Sequence, residues 1–190
     1  MATVQTIPQA LIYEMDGDRP IYYAGYRAVL EGNAKIEDVV GTSGLQSFLL
    51  SDITAHLIQH LDRRYRVGSS EIGLQLAQGY RAADVAVFER SDLRQLVTLE
   101  KYVPIPPKVV IEVDIKADMS ELDDATGYFH RKTDQLLEHG VAQVIWIFTS
   151  SQKVMIAQPG EAWSIQSWHR PVDVLDVTLT IGQIAADMLL

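Results

Sequence analysis

Acidic and basic side chains alternate with apolar ones along residues 109–116, which read Val-Val-Ile-Glu-Val-Asp-Ile-Lys. This period of two predicts a β-strand with one apolar face and with Glu112, Asp114 and Lys116 together on the other. Same-face neighbours lie about 7 Å apart, so two carboxylates that face a core need a cation, a proton or hydrogen-bond donors. A divalent metal would satisfy them, and a solvated strand face is the alternative.

An earlier acid, Asp84, begins a second apolar run that continues to Phe88. An acid at the end of a strand is often only a turn residue. Beside a glutamate on a neighbouring strand, however, it would provide a second hard oxygen ligand for Mg²⁺ or Mn²⁺. This arrangement is typical of metal-dependent phosphodiesterases, in which the metal lowers the pKa of bound water and polarises a phosphoryl oxygen.

Lys132 interrupts the apolar stripe of a predicted helix, which includes Tyr128, Phe129 and Leu136. A buried ammonium is costly unless it is paired, so this side chain either extends to solvent along its apolar stem or meets carboxylates inside. The helix connects the Glu112 strand to the next predicted strand, a crossover position from which a side chain can lean over both strands. Lys132 could therefore reach Glu112.

Hydrophobic periodicity predicts the elements that position these residues. Helices are expected over 44–62, capped by Thr42 or Ser43, and over 123–138, ending at Gly140. Strands are expected over 71–76, 82–88, 109–116, 144–148, 153–157 and 177–180, with a small helix near 184–189. Residues 1–40 are predicted to form an irregular amino-terminal extension that packs on the domain, with short strands near 11–13 and 21–23. The order predicts one domain over 1–190 with an α/β or α+β fold, in which helices flank a mixed central sheet.

Composition limits the compartment and the chemistry. The chain has 190 residues, of which 47% are hydrophobic and 22% charged, and this suits a single globular domain. The absence of cysteine excludes disulfides and thiolate zinc sites, so a metal site must use oxygen or imidazole ligands. No apolar run approaches the roughly 18 residues that span a bilayer, and no secretory leader pattern is present, so we expect a cytoplasmic protein without a membrane partner.

A net charge of −9 argues against a protein whose whole surface binds nucleic acid, because phosphates are attracted by a basic field. The net charge is still compatible with a local basic groove, and the alternative is that its candidate residues are ordinary solvated charges. The candidates for such a groove are Arg63, Arg64 and Arg66 after the first long helix, and Lys101, Lys108, Lys116, Arg131 and Lys132 around the central segment.

Three segments within residues 80–156 carry a resemblance to a known family. Residues 80–87 (Tyr-Arg-Ala-Ala-Asp-Val-Ala-Val) are similar to its RPDVAV strand, and residues 106–113 (Pro-Pro-Lys-Val-Val-Ile-Glu-Val) to its P-x-L-V-V-E-V segment. Lys132, Leu136, 140–141 and 144–147 follow the spacing of its K…L/Y…GV…YWIVD segment. The chain thus resembles the Uma-type restriction endonucleases, which belong to the PD-(D/E)xK nuclease superfamily and were first defined as a domain of unknown function.

The resemblance has two departures. Ala83 replaces the motif proline, and Asp114 stands where a (D/E)xK motif has its lysine. The resemblance implies that the catalytic lysine comes from the helix as Lys132, while Lys116 is a competitor. Glu14, in a segment similar to the family's E…DG, and Glu71 are further candidates.

The resemblance implies a restriction-endonuclease-like fold and a Mg²⁺- or Mn²⁺-dependent endonuclease that hydrolyses phosphodiester bonds of DNA. Its metal ligands would be Asp84, Glu112 and, through water, Asp114. A double-strand cut needs two such sites, which predicts a homodimer. Two alternatives stay open: a degenerate nuclease-fold protein that binds nucleic acid or a protein without catalysis, and another metal-dependent hydrolase of a small anionic substrate.

Overall fold

A computed structural model describes residues 7–40, 43–96, 98, 100, 102–118 and 125–187. The strands are β1 (Ile12–Asp16), β2 (Arg19–Tyr22), β3 (Tyr65–Gln75), β4 (Gly79–Glu89), β5 (Val109–Val113), β6 (Gln143–Phe148), β7 (Lys153–Ala157), β8 (Ser164–Ser167), β9 (Val172–Val174) and β10 (Val177–Leu179). The helices are α1 (Tyr26–Leu30), α2 (Ile36–Val40), α3 (Gly44–His60), α4 (Arg90–Leu93), α5 (Ala125–His139) and α6 (Ile181–Asp187). None of the helices in these ranges is long and apolar enough to cross a membrane.

A mixed eight-stranded sheet forms the centre of the fold. Its strands follow the order β2-β1-β4-β5-β6-β7-β8, and β3 pairs with β4 as well. β5 and β6 are parallel, and α5 lies in the connection between them, whereas the other neighbouring strands are antiparallel. A separate two-stranded sheet pairs β9 with β10. The predicted α/β fold with a mixed central sheet flanked by helices is confirmed.

The two faces of the sheet bury two different cores. On one face, Leu49, Ile53 and Leu57 of α3 pack against strand residues such as Ile111. On the other, α5 packs against residues that include Val110. Since side chains alternate along a strand, β5 sends its odd-numbered residues toward α3 and its even-numbered ones, including Glu112, toward α5.

Both long helices begin or end as the sequence predicts. Ser43 caps α3 in a capping box, in which its hydroxyl accepts from the Gln46 backbone while the Gln46 side chain accepts from the Ser43 backbone. The alternative cap, Thr42, lies outside the described residues. α5 ends before Gly140, whose φ of 110° is open to glycine and strained for other residues.

The amino-terminal part contains two short strands, β1 and β2, where the sequence predicts strands near residues 11–13 and 21–23. β1 and β2 form a hairpin, and β1 also pairs with the start of β4, so both strands belong to the central sheet. Tyr13 and Ile21 are buried in the core on the α5 side. This long-range pairing of β1 with β4 makes the hairpin part of the sheet.

Thr133 joins α5 to the sheet through a fully buried hydroxyl. It accepts a hydrogen bond from Nε1 of Trp146 on β6 at 2.9 Å and donates to the Phe129 carbonyl oxygen at 2.6 Å. Thr133→Val keeps the shape but leaves the buried indole N–H without a partner, so we expect a loss of about 1–3 kcal/mol in the free energy of unfolding. Urea denaturation followed by tryptophan fluorescence measures this loss. Thr133→Ser is the matched control, and equal stability of Thr133→Val and wild type would contradict the prediction.

Candidate active site

One edge of β4 has a stretch without a strand partner. On this edge β1 pairs with Gly79 and Tyr80, and β5 pairs with 85–87, while β3 occupies the opposite edge. Residues 81–84 therefore face neither β1 nor β5, and we call this stretch the β4 gap. Its backbone N–H and C=O groups need other partners because buried, unpaired peptide groups are costly.

Charged side chains provide those partners. Glu14 accepts a hydrogen bond from the Ala82 backbone N–H at 3.1 Å, and the Lys132 ammonium donates to the Ala82 carbonyl oxygen at 2.8 Å. At the far end of the gap, Oδ2 of Asp84 accepts from the Val113 backbone N–H at 2.8 Å. Continuing the β4–β5 register by one residue on each strand places Asp84 opposite Glu112.

Lys132 lies at the centre of a buried ion cluster. Its Nζ is 2.7 Å from Oε1 of Glu14 and 3.0 Å from Oε2 of Glu112, and none of the three side chains is more than 1% exposed. Glu14 also accepts from the Tyr128 hydroxyl at 2.7 Å and from Arg81 at 3.3 Å. The contact of Lys132 with Glu112 is the one that the crossover position of α5 predicts, and Glu14 is a member of the same cluster.

Lys116 lies in a second, more accessible cluster next to the first. Its Nζ is 2.7 Å from Oδ1 of Asp84 and 3.1 Å from Oε1 of Glu71, and the side chain is 11% exposed. Oε2 of Glu71 accepts from the Tyr23 hydroxyl at 3.1 Å. This cluster borders a cavity of about 290 Å³, which we call the catalytic cavity; its lining includes Ser47, Leu50, Ser51, Ser69, Ser70, Glu71, Asp84 and Lys116.

A β-bulge turns Glu71 toward Lys116. The β3–β4 register passes from Ser69 opposite Val85 to Ile72 opposite Ala83, so Ser70 and Glu71 together oppose Asp84. Both bulge residues have positive φ, 71° and 58°, a conformation that costs energy for residues other than glycine. Bulges of this kind often redirect a side chain beside an active site.

Asp114 does not lie on the face of Glu112, and the prediction that it does is wrong. β5 ends at Val113, and Asp114 has a φ of 57°, which breaks the two-residue alternation. Its carboxylate accepts hydrogen bonds from the Thr149 backbone at 2.8 Å, the Thr149 hydroxyl at 2.7 Å and the Gln46 amide at 3.0 Å. Because both oxygens are engaged by donors from the end of β6 and the start of α3, we leave Asp114 out of the proposed metal ligands.

The electrostatics of the cluster centre on Glu112. Burial raises the pKa of Glu112 to about 8, with Lys132 lowering it and Asp84 and Glu14 raising it further. Its Oε1 is buried and has no hydrogen-bond partner among the described residues. Burial lowers the pKa of Lys132, but the carboxylates of Glu112 and Glu14 outweigh burial, so the net pKa is raised and the ammonium keeps its charge.

The pKa of Lys116 follows the same pattern in the outer cluster. Burial lowers it, and the carboxylates of Asp84 and Glu71 raise it by more, so that the net pKa lies above its ordinary value. Each of the two facing carboxylates, Asp84 and Glu112, therefore has a charged ammonium of its own.

Two facing carboxylates with an unsatisfied buried oxygen fit a hard divalent cation. Within the described ranges, no group of three or more His, Asp or Glu side chains converges to hold a metal. Mg²⁺, however, is commonly bound by only one or two carboxylates, with waters and substrate phosphates as its remaining ligands. Asp84 and Glu112 match this mode of binding, whereas a cage made only of protein ligands is not present in the part of the chain that the structure describes.

Two members of the inner cluster, Arg81 and Tyr128, do not follow from the sequence analysis. Both carried a signal that could have identified them. Tyr128 lies four residues before Lys132 on α5, so both side chains share a helical face and can reach the same carboxylate. Arg81 is the third residue of β4, before the apolar part of the strand, and is 2% exposed. Such a buried guanidinium needs an acidic partner, here Glu14 and Asp16.

Comparisons with known proteins identify one family and one similar fold. A model of the family described as "Uma2: Putative restriction endonuclease" matches residues 30–188. Among solved structures, the chain is similar to "a putative nuclease belonging to DUF820" from Anabaena variabilis ATCC 29413, with a TM-score of 0.63 and 17% identity over 76% of this chain and 82% of that chain. An identity this low shows a shared fold and nothing more. No curated protein matches the chain.

The raised pKa of Glu112 predicts a specific dependence of stability on pH. Between its ordinary value of 4.5 and about 8, the folded protein holds a proton on Glu112 that the unfolded chain has released. Stability therefore falls as pH rises through this window and levels off above it. Because Glu112→Gln mimics the protonated acid, the melting temperature of the variant should exceed that of wild type by an amount that grows from pH 5 to about 8.

Calorimetric melting in EDTA across this pH range measures the difference between the two proteins. Glu138→Gln on the exposed face of α5 is the matched control and should follow wild type. A wild-type curve parallel to that of Glu112→Gln would show that Glu112 is ionised in the folded protein and would overturn the prediction.

Proposed function

The chain belongs to the Uma2 family, described as "Putative restriction endonuclease", and on this basis we propose that it is a Mg²⁺- or Mn²⁺-dependent endonuclease that hydrolyses phosphodiester bonds of DNA. The observation that carries the proposal is the position of Asp84 opposite Glu112, with Asp84 at the wall of an open cavity. Neighbouring strands hold the two carboxylates rigidly, as a catalytic site requires.

Asp84 and Glu112 would hold the metal. A divalent cation there would supply a nucleophilic water of lowered pKa and polarise a phosphoryl oxygen. The chain itself contributes the orientation of the ligands: Asp84 is fixed by the Val113 backbone N–H, and Glu112 by Lys132. Both contacts come from regular elements, so the two carboxylates keep their separation whether or not substrate is present.

The two lysines have different roles in this proposal. Lys132 has no exposed surface and is surrounded by Glu14, Glu112 and the Ala82 carbonyl, so it positions Glu112 and neutralises the cluster. Lys116 borders the catalytic cavity and can donate to a phosphate oxygen of a substrate there. A cation at that place offsets the negative charge that develops in phosphoryl transfer. We therefore assign the contact with substrate to Lys116, although the family resemblance points to Lys132.

One observation favours a second candidate, a nuclease-fold protein that binds nucleic acid without cleaving it. Each facing carboxylate already has an ammonium partner within 3.0 Å, Lys116 for Asp84 and Lys132 for Glu112. A metal must therefore compete with lysines that satisfy its ligands. Binding of Mn²⁺ in calorimetry separates the two candidates, because the non-catalytic protein would show none. Homodimer formation, which a double-strand cut requires, belongs to the first candidate.

Loss of either proposed ligand should abolish cleavage while leaving the fold in place. Asp84→Asn and Glu112→Gln keep the shape of the side chain and remove its charge, so we expect metal-dependent cutting of supercoiled plasmid to fall at least about 100-fold. Glu138→Gln, at an exposed acid on α5, is the matched control and should cut like wild type. Cutting by Asp84→Asn at the wild-type rate would rule out this site.

The separate roles of the lysines can be measured by comparing stability with activity. Lys132→Met removes the buried ammonium from Glu14 and Glu112 and leaves the buried carboxylate of Glu14 without this partner, so we expect a loss of about 3–5 kcal/mol in the free energy of unfolding. Lys116→Gln keeps a donor beside Asp84 and should cost less than about 2 kcal/mol, yet lower kcat about 100-fold. Urea denaturation and plasmid cutting test both, with Lys153→Gln, at an exposed lysine on β7, as control. Full activity of Lys116→Gln would return the catalytic role to Lys132.

A further inference from the structure

A second cavity, of about 200 Å³, lies between the end of α3 and the start of β3. Three arginines border it, Arg63, Arg66 and Arg90, together with apolar residues that include Leu57 and Ile58. We call this the arginine cavity. Such a concentration of guanidinium groups is unexpected in a chain with a net charge of −9.

The guanidinium groups of Arg63 and Arg66 are available to a partner. Both residues are exposed, and neither forms an ion pair with the residues that the structure describes. Arg90 is held in place, because its Nε donates to the carbonyl oxygens of Arg63 at 2.8 Å and Tyr65 at 3.0 Å. Arg64 lies over the ring of Tyr65, with its Cζ 4.8 Å from the ring centroid.

One acid, Asp62, lies at the rim of the arginine cavity. Its carboxylate accepts a hydrogen bond from the Arg64 backbone N–H at 2.8 Å, which fixes the turn between α3 and β3. Asp62 therefore takes part in the local backbone structure, and it forms no ion pair with Arg63 or Arg66. The lining of the arginine cavity contains three arginines and one acid.

The arginine cavity and the catalytic cavity lie along the same helix and the same strand. The catalytic cavity is bordered by Ser47 to Ser51 of α3 and by Ser69 to Glu71 of β3, and the arginine cavity by 57–58 of α3 and 65–67 of β3. About seven residues of helix at 1.5 Å each, or about four residues of strand at 3.3 Å each, separate the two. The cavities are therefore about 10–13 Å apart along one α3–β3 groove.

We propose that the backbone of the nucleic acid runs along the α3–β3 groove, with one phosphate at Lys116 and another at the arginine cavity. This inference rests on the proposed nuclease function and adds the path of the substrate. Phosphates along one strand of a duplex advance about 3.4 Å of axis each, so the separation of the cavities corresponds to about three or four nucleotides. Ser47, Ser69 and Ser70 line the catalytic cavity together with Lys116, and their hydroxyl groups can donate to phosphate oxygens at that end of the groove.

Binding without catalysis tests the groove by itself. Fluorescence anisotropy of a labelled duplex in EDTA, from about 50 to 200 mM salt, measures both affinity and its salt dependence. Each neutralised phosphate contributes about 0.9 to the magnitude of the slope of log K against log salt. Arg63→Gln/Arg66→Gln removes the one phosphate contact at the arginine cavity, so it should reduce that magnitude by about 0.9 and the affinity about tenfold at the lowest salt. Lys153→Gln, an exposed lysine on β7, is the matched control.

The outcomes separate the groove from the nuclease activity. Unchanged affinity and slope in the double variant, an equal loss in Lys153→Gln, or no binding by wild type would overturn the groove. Hydrolysis of bis(p-nitrophenyl) phosphate by wild type with Mn²⁺ reports on the catalytic cavity alone, because this diester is too small to reach the arginines. Binding that depends on the arginines, combined with no hydrolysis of the small diester or of DNA, would overturn the proposed activity and leave the groove in place.

Discussion

The β4 gap is the constraint on which the rest of this structure depends. Between the end of the β1 pairing and the start of the β5 pairing, one edge of β4 has no strand beside it. Glu14 and Lys132 satisfy Ala82 from one side, and Asp84 takes the Val113 backbone N–H on the other. Charged side chains therefore lie within the sheet because their hydrogen bonds take the place of the backbone hydrogen bonds that a neighbouring strand would form. The sheet and the candidate active site are consequently one structure.

The partners within the cluster also explain why most of its buried charges are tolerated, and why Glu112 is the acid whose charge is stabilised least. Glu14 has Lys132, Arg81 and Tyr128 around it, and Asp84 has Lys116 and a backbone donor. Among the described residues, Glu112 has only Lys132 as a partner, and its second oxygen is buried without one, which is why burial can raise its pKa to about 8. A divalent cation beside this unpartnered oxygen would stabilise the ionised form of Glu112, which the protein alone stabilises less than it does Glu14 or Asp84.

The sequence predicts those parts of the site that depend on regular periodicity and misses those that depend on backbone irregularity. Glu112 and Lys132 follow from the alternation of a strand and the apolar stripe of a helix. The position of Asp114 does not, because a single left-handed residue ends the alternation and aspartate carries only a weak signal for that conformation. The bulge at Ser70 and Glu71 has no glycine or asparagine to mark it, and the role of Glu14 depends on the long-range pairing of β1 with β4.

Backbone strain is concentrated around the catalytic cavity. Among the described residues other than glycine, five have positive φ, and three of them, Ser70, Glu71 and Asp114, flank Asp84 and Lys116. Such conformations persist only where the surroundings hold them, here through the Glu71–Lys116 pair and the three hydrogen bonds of Asp114. A regular β3 would place one residue opposite Asp84 in place of two, and Glu71 would not be turned toward Lys116. The bulge thus helps to position Lys116, the lysine that borders the catalytic cavity.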